Sequence, residues 1–374
     1  MQQSGIKIMT AHTIKNSSRL RAHRHVLYTR ILHPAILILL IPVILYAQPE
    51  GGGYAESYLL RNIGGRPTAM AGAYSAISNE PNTIFYNPAG LSGLSTQPMF
   101  SSMHTFMEWG RTHTSLAWGQ NFFDNWGFGA GINNFTTGSF TARDIKGNPL
   151  GDFTDWQFAF FGGASYRMEF ASMGVAVKYL SHNLVNSDYR ADGFAFDLGS
   201  KFNVMDMFNF AVSIQNISAM MFWNTPSGED DLLPYTIRTG IAMEYGMNDE
   251  EYQTRNTVTG ELETVYVPST KYILVGIDAV LTQFENAPRF ILGVEGVPHE
   301  LIAFRGGIAV LGDNKGVYGL FPMTDWGLGV SLRPDHEELQ LPFKINIDYS
   351  VSADYLSTSG IAHHLSVEIE FPEE

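Results

Sequence analysis

A two-residue rhythm constrains this chain more than any other feature. Between residues 193 and 204, Phe194, Phe196, Leu198, Phe202 and Val204 share one face, while Gly193, Ala195, Asp197, Gly199, Lys201 and Asn203 share the other. Residues 343–351 set Phe343, Ile345, Ile347, Tyr349 and Val351 against Lys344, Asn346, Asp348 and Ser350, and residues 361–371 repeat the pattern. Side chains of a strand alternate between its faces, so each segment reads as a strand with one greasy and one polar or small face.

Turn signals divide the region into segments near 97–109, 111–122, 126–137, 155–167, 171–182, 192–204, 208–219, 234–246, 269–282, 289–297, 301–311, 317–333, 342–352 and 361–372. The count is even, and most segments reach the roughly ten residues that a tilted strand needs to cross a bilayer. A soluble sandwich could alternate in the same way with its apolar face inward. Against it stand polar faces rich in glycine and only 16% charged residues, beside about 25% in an average soluble protein. The expected fold class is all-β: a 14-stranded antiparallel transmembrane outer-membrane barrel.

The first 47 residues have another character. Lys7, Lys15, Arg19, Arg21, Arg24 and Arg30 precede the apolar run 35–46, with no acidic residue, and Ala47-Gln48 follows. That is the order of a secretory signal, with Met9 as an alternative start. The run contains Pro42 and falls short of the roughly 20 apolar residues of a spanning helix, which argues against a membrane anchor. Its removal takes away six positive charges and moves the formal charge from −14 to −20. So acidic an exported chain is no nucleic-acid partner. The absence of cysteine fits the bacterial envelope without requiring it.

Three domains are therefore expected: 1–47 as signal peptide, 48–96 as an N-terminal hatch, and 97–374 as the barrel. A 14-stranded barrel is too wide for its own wall side chains to fill, and 48–96 is the sizeable mature stretch without alternation. In "IFYNPAGL", Asn87 can cap a short helix, Pro88 suits its first position, and Gly90 or Gly93 permits a tight turn. With both termini periplasmic, 138–154, 183–191 and 220–233 are outward loops, and 123–125, 168–170 and 205–207 are short periplasmic turns. Residues 247–268 break that order. Thr259-Gly260 between β-prone residues suggests a projecting hairpin there.

Alternation also assigns an interior to Lys178, Asp197, Lys201, Arg238, Glu244, Asp278, Glu295, Lys344, Asp348, Glu368 and Glu370. Such charges would be costly against lipid but can pair inside a barrel. Pairing alone accounts for them, so a structural network holding a plug is expected before a substrate relay.

Residues 64–91, "GGRPTAMAGAYSAISNEPNTIFYNPAGL", resemble the N-terminal signature of the PorV/PorQ family, which is related to the FadL-type transporters of long-chain fatty acids. Gly64, Gly72, Asn87, Pro88, Ala89 and Gly90 fit that pattern, while Pro67 and Asn82 depart from it. The resemblance implies a 14-stranded barrel with an N-terminal hatch. For PorV-like members it implies partnership with the type IX secretion translocon and cargo C-terminal domains; for FadL-like members it implies uptake of hydrophobic compounds. A surface barrel with a structural or adhesive role is a third reading.

Catalytic signatures are missing from the sequence. No Gly-x-Ser-x-Gly elbow, Walker loop or His-Glu-x-x-His site occurs. The glycines of "GFGAG" at 127–131 alternate in a strand, and His363 and His364 belong to opposite faces. "GEDD" at 228–231 reads as a solvated loop more readily than as a Ca²⁺ site. No cofactor, metal or enzymatic activity is expected.

Overall fold

The computed structural model describes residues 56–123, 125–187, 189–204, 207–225, 230–247, 250–255, 262–267, 269–283, 285, 287–312, 323–336, 338–354 and 358–372. The expected signal peptide, its cleavage point, the turn at 259–260 and the first half of the acidic run 228–231 lie outside them.

Fourteen antiparallel strands form the wall. They are β1 (Met99–Phe106), β2 (Thr112–Phe122), β3 (Trp126–Arg143), β4 (Pro149–Arg167), β5 (Ala171–Val185), β6 (Arg190–Val204) and β7 (Phe208–Trp223). Then come β8 (Thr236–Gly246), β9 (Tyr272–Thr282), β10 (Arg289–His299), β11 (Ile302–Leu311), β12 (Met323–Leu332), β13 (Lys344–Ala353) and β14 (Ile361–Glu370). Each pairs with its sequence neighbours, and β1 against β14 closes the ring from Met99↔Glu370 to Phe106↔His363. Closure removes the sheet edges, so backbone hydrogen bonds are made within the wall, as an apolar surrounding demands.

The exterior is greasy. Phe194, Phe196 and Leu198 are 48–55% exposed while Ala195 and Asp197 between them are fully buried, and Phe128, Phe160, Leu292, Phe304 and Leu365 continue the apolar outer surface. A closed barrel with this outer face is a membrane barrel.

Three features revise the expected boundaries. The outward loop expected at 138–154 is mostly strand, because β3 and β4 continue pairing from Ser139↔Thr154 to Arg143↔Pro149 beyond a bulge at Gly138. β-prone Phe140, Thr141, Phe153 and Thr154 sustain that ladder. With 18 and 19 residues, β3 and β4 outrun the about 9–11 that a bilayer needs, so their hairpin projects outward. A short strand, Asp230–Leu232, folds back onto β7. At the end of the barrel that carries Met99 and Glu370, Glu250–Arg255 pairs with Leu262–Val267, which is the hairpin expected for 247–268.

Residues 56–96 fill the lumen. They form 3-10 turns at Ser57–Leu60, Pro81–Phe85 and Pro88–Gly93 and one short helix, α1 (Gly65–Ala69). Prolines open the second and third turns, where a missing N–H costs nothing. Gly64 and Gly72 have φ of +96° and +90°, which only glycine adopts freely. Pro67 sits within α1, and Asn82 packs against Gly64 while donating to Glu80 Oε2 at 3.3 Å, so both departures from the family pattern have structural roles here.

Candidate functional site

The hatch meets the wall through glycine. Gly119, Gly129, Gly163, Gly174, Gly199, Gly240, Gly276, Gly293, Gly307 and Gly327 lie on ten different strands, and a Cβ at any of them would crowd or collide with a hatch atom. At Gly276, for example, it would lie 2.8 Å from the Ala73 carbonyl oxygen. Where the wall offers no glycine it offers short donors: Ser172 Oγ to Ala89 O (3.0 Å), Ser213 Oγ to Tyr86 O (2.9 Å) and Gln215 Nε2 to Phe85 O (2.8 Å). These bonds satisfy carbonyls that an irregular buried chain cannot pair internally.

Asn87 sits at the centre of that docking. Its Oδ1 accepts from Ala89 N at 3.1 Å and caps the turn that Pro88 opens, while Nδ2 donates to Ser75 O and to Ser200 O of β6, both at 3.1 Å. Ala89 and Gly90 are fully enclosed, and Gly90 packs against Thr83.

Two electrostatic centres tie the hatch to β8–β14. Arg66 of α1 donates Nε and Nη2 to Glu295 at 2.8 and 2.7 Å, and Nη1 to Glu80 at 2.9 Å and Asn79 at 2.7 Å. Burial opposes its charge; Glu295 and Glu80 outweigh burial and hold the guanidinium well above its ordinary range. Arg305 bridges Glu295 and Asp348. In the second centre Asp278 accepts from Tyr74 N, Ser75 N and Ser75 Oγ, and Arg238 reaches Asp278 and the Gly72 carbonyl oxygen at 3.2 and 2.7 Å.

Of the other charges expected inside, Lys201 donates to Ser78, Lys178 pairs with Asp197 at 2.9 Å, and Glu368 accepts from Asn346. Three sit at strand ends. Glu244 is exposed near the end of β8, and half-exposed Lys344 pairs at 3.5 Å with partly buried Glu370 at the same end of the barrel. Alternation carries on past the lumen to the strand ends, so period alone does not separate luminal from rim positions. Arg66, Glu80, Arg305 and Arg333 were not among the expected charges. Arg305 was findable, since Ala303, Phe304 and Arg305 alternate in phase with the wall, whereas Arg66 lies in a hatch with no period to read.

A different surface lies across the lumen. Phe135, Ala159, Phe161, Leu180, Ala195, Ala219 and Met221 of β3–β7 face inward and pack with Tyr58 and Phe85 of the hatch. Here the wall itself is irregular. The β6–β7 ladder slips twice, between Phe194/Phe196 and Phe196/Leu198, and Asn216 and Ser218 take φ of +59° and +52°. On the other side of β7, direct pairing with β8 ends at Gln215↔Thr236, and the short strand resumes it only at Met220↔Leu232. The bulge is held from inside: Asn216 N donates to Asp197 Oδ1 at 2.9 Å and Lys178 Nζ to Asn216 Oδ1 at 2.7 Å.

No family model and no curated protein matches the chain in sequence. Solved structures do match in fold. A FadL homologue from Pseudomonas aeruginosa superposes with a TM-score of 0.53 at 9% identity, covering 86% of this chain and 99% of that one. The Pseudomonas putida toluene transporter TodX gives 0.50 at 11% identity, covering 87% and 100%. At such identities the likeness is one of fold: the chain has the FadL-like 14-stranded architecture. That architecture and its greasy outer wall make it a Gram-negative outer-membrane barrel.

Proposed function

We propose that this chain is a non-enzymatic outer-membrane transporter that carries hydrophobic compounds. The observation that carries the reading is the coincidence of an apolar luminal sector, Phe135, Phe161, Leu180 and Met221, with the twice-slipped β6–β7 wall beside it. An apolar molecule leaving solvent gains roughly 25 cal/mol per Å² of surface covered, so this sector, buried against Tyr58 and Phe85 at rest, becomes a binding surface once the hatch shifts, and the interrupted ladder is where the wall yields most cheaply. TodX, a toluene transporter, suggests a substrate of that kind, small and apolar.

The glycine collar favours a second reading. A hatch seated on ten strands seals the lumen, as suits a barrel that serves as a partner rather than a conduit. With the PorV/PorQ-like block at 64–91, that seal supports a type IX secretion component handling cargo C-terminal domains. A deletion strain separates the two. Impaired uptake of toluene or fatty acid with normal surface cargo supports transport, and lost cargo with normal uptake supports secretion.

A further inference from the structure

At the periplasmic mouth a polar pocket of about 380 Å³ opens between the hatch and β9–β14. Its wall includes Arg66, Glu80, Tyr272, Arg333, Asn346 and Glu368, and the strand ends Met99 and Glu370 mark its rim. The volume is within the range of about 300–1,000 Å³ typical of small-molecule sites.

The buried charges around it do not balance. Three guanidiniums, Arg66, Arg305 and Arg333, meet four carboxylates, Glu80, Glu295, Asp348 and Glu368. Glu370 adds nothing to the sum because Lys344 neutralises it. Arg66 and Arg305 are already committed, with Nε and both terminal nitrogens of Arg66 in hydrogen bonds and Arg305 shared between Glu295 and Asp348, while Arg333 leans on Glu295 at 3.7 Å and on the Tyr272 hydroxyl at 3.4 Å. Glu368 is the carboxylate left over. It is 7% exposed and lines the pocket, its one hydrogen bond among the described residues is a 3.3 Å contact from Asn346, and no described cation stands within ion-pair distance. Burial disfavours the charged form of such a carboxyl, and a cation entering the pocket would restore it.

We infer that the pocket binds a primary alkylammonium group, with its –NH₃⁺ on Glu368 and its alkyl stem along Tyr272 and Met99. An ammonium is a compact single charge with three donors, which matches one surplus carboxylate flanked by the acceptors of Glu80 and Asn346. No cluster of three His, Cys, Asp or Glu suited to a metal ion occurs among the described residues. The chemistry is shared by a lysine side chain of a periplasmic peptide and by a free aliphatic amine. The inference is independent of whether the barrel transports or secretes, since it concerns the face opposite the apolar sector.

Calorimetric titration of the full chain in detergent at pH 7 tests it, with Nα-acetyl-lysine-N-methylamide and n-butylamine as probes. The uncharged norleucine analogue and sodium chloride serve as controls. Saturable binding of either amine, without binding of the norleucine analogue, is expected. A tighter lysine derivative identifies a peptide source, and equal affinities identify a free amine. Glu368→Gln should weaken binding by at least about tenfold, because it removes the buried charge, whereas Glu370→Gln should leave it unchanged. Heat-modifiable gel migration verifies that each variant is folded. If Glu368→Gln does not fold, the wild-type titration alone decides. Absence of saturable amine binding, binding that survives Glu368→Gln, or equal displacement by sodium overturns the inference.

Discussion

The two halves of the lumen hold the same hatch with different balances of charge and apolar packing. Across β8–β14 the contacts are charged and directional: Arg66 and Arg305 converge on Glu295, and Asp278 collects hatch amides and Arg238. Across β3–β7 an apolar patch, Phe135, Phe161, Leu180 and Met221 against Tyr58 and Phe85, joins bonds from Ser172, Lys201, Ser213 and Gln215 and the His182–Glu56 pair, and the wall behind it is broken at β7. Charge-assisted networks specify one geometry, whereas apolar contacts tolerate sliding and exchange. One side anchors, and the other can yield.

The anchor gives the largest expected effect. Arg66→Met leaves Glu295 and Glu80 buried with less compensation, a loss of about 3–5 kcal/mol by analogy with other broken buried pairs. Urea unfolding followed by gel mobility should show a clearly lower midpoint. Phe161→Leu on the yielding side, a smaller apolar change, should cost less than half as much. Equal losses would erase the distinction.

Steric seating comes next. Gly307→Val drives a side chain into the Met70 backbone, and overpacking of this kind costs about 1–3 kcal/mol. Gly296→Ala, where nothing lies within 4 Å, should be close to neutral. Protease susceptibility of the hatch reports the difference; similar cleavage of both variants would mean that the collar does not seat it. Asn87→Ala removes a cap worth about 1 kcal/mol together with two further bonds, so its unfolding midpoint should fall by slightly more than a lost cap alone.

The smallest effect is at the outer rim beside the β1–β14 seam. Glu108 accepts from Thr358 N at 2.6 Å and Ser359 N at 2.9 Å, and the Thr358 bond foremost holds its carboxyl below the usual range. A depressed folded value means that the link is present at neutral pH and lost as pH falls through that value. Protection of the Thr358 and Ser359 amides, taken relative to the intrinsic exchange rate at each pH, should therefore fall at acid pH in the wild type and be reduced at every pH in Glu108→Gln.

Much of the yielding side was legible in the sequence, because period-two alternation there is clean: Phe194, Ala195, Phe196 and Asp197 fall on their faces without exception. Asn87 and Pro88 were legible as a cap because capping chemistry is local. The anchor was only partly legible. Glu295 and Asp278 show in the strand period, but Arg66 pairs with Glu295 across 229 residues, and nothing local announces that. The collar was hidden for a related reason: each glycine reads as a small residue in a strand, and only closure brings ten of them around one plug. The slips at β7 escaped notice because Asn216 and Ser218 resemble ordinary polar strand residues until their backbone angles are known.

The claim that β6–β7 is the yielding wall can be tested with one staple. Phe196 and Ile217 are directly paired, the chain has no cysteine, and paired antiparallel residues lie within disulfide reach. Toluene uptake by cells carrying Phe196→Cys/Ile217→Cys should fall severalfold on oxidation and recover on reduction. The matching staple Phe100→Cys/Ile369→Cys across β1 and β14 should have no effect. Equal uptake in the oxidised and reduced β6–β7 staple would contradict the account.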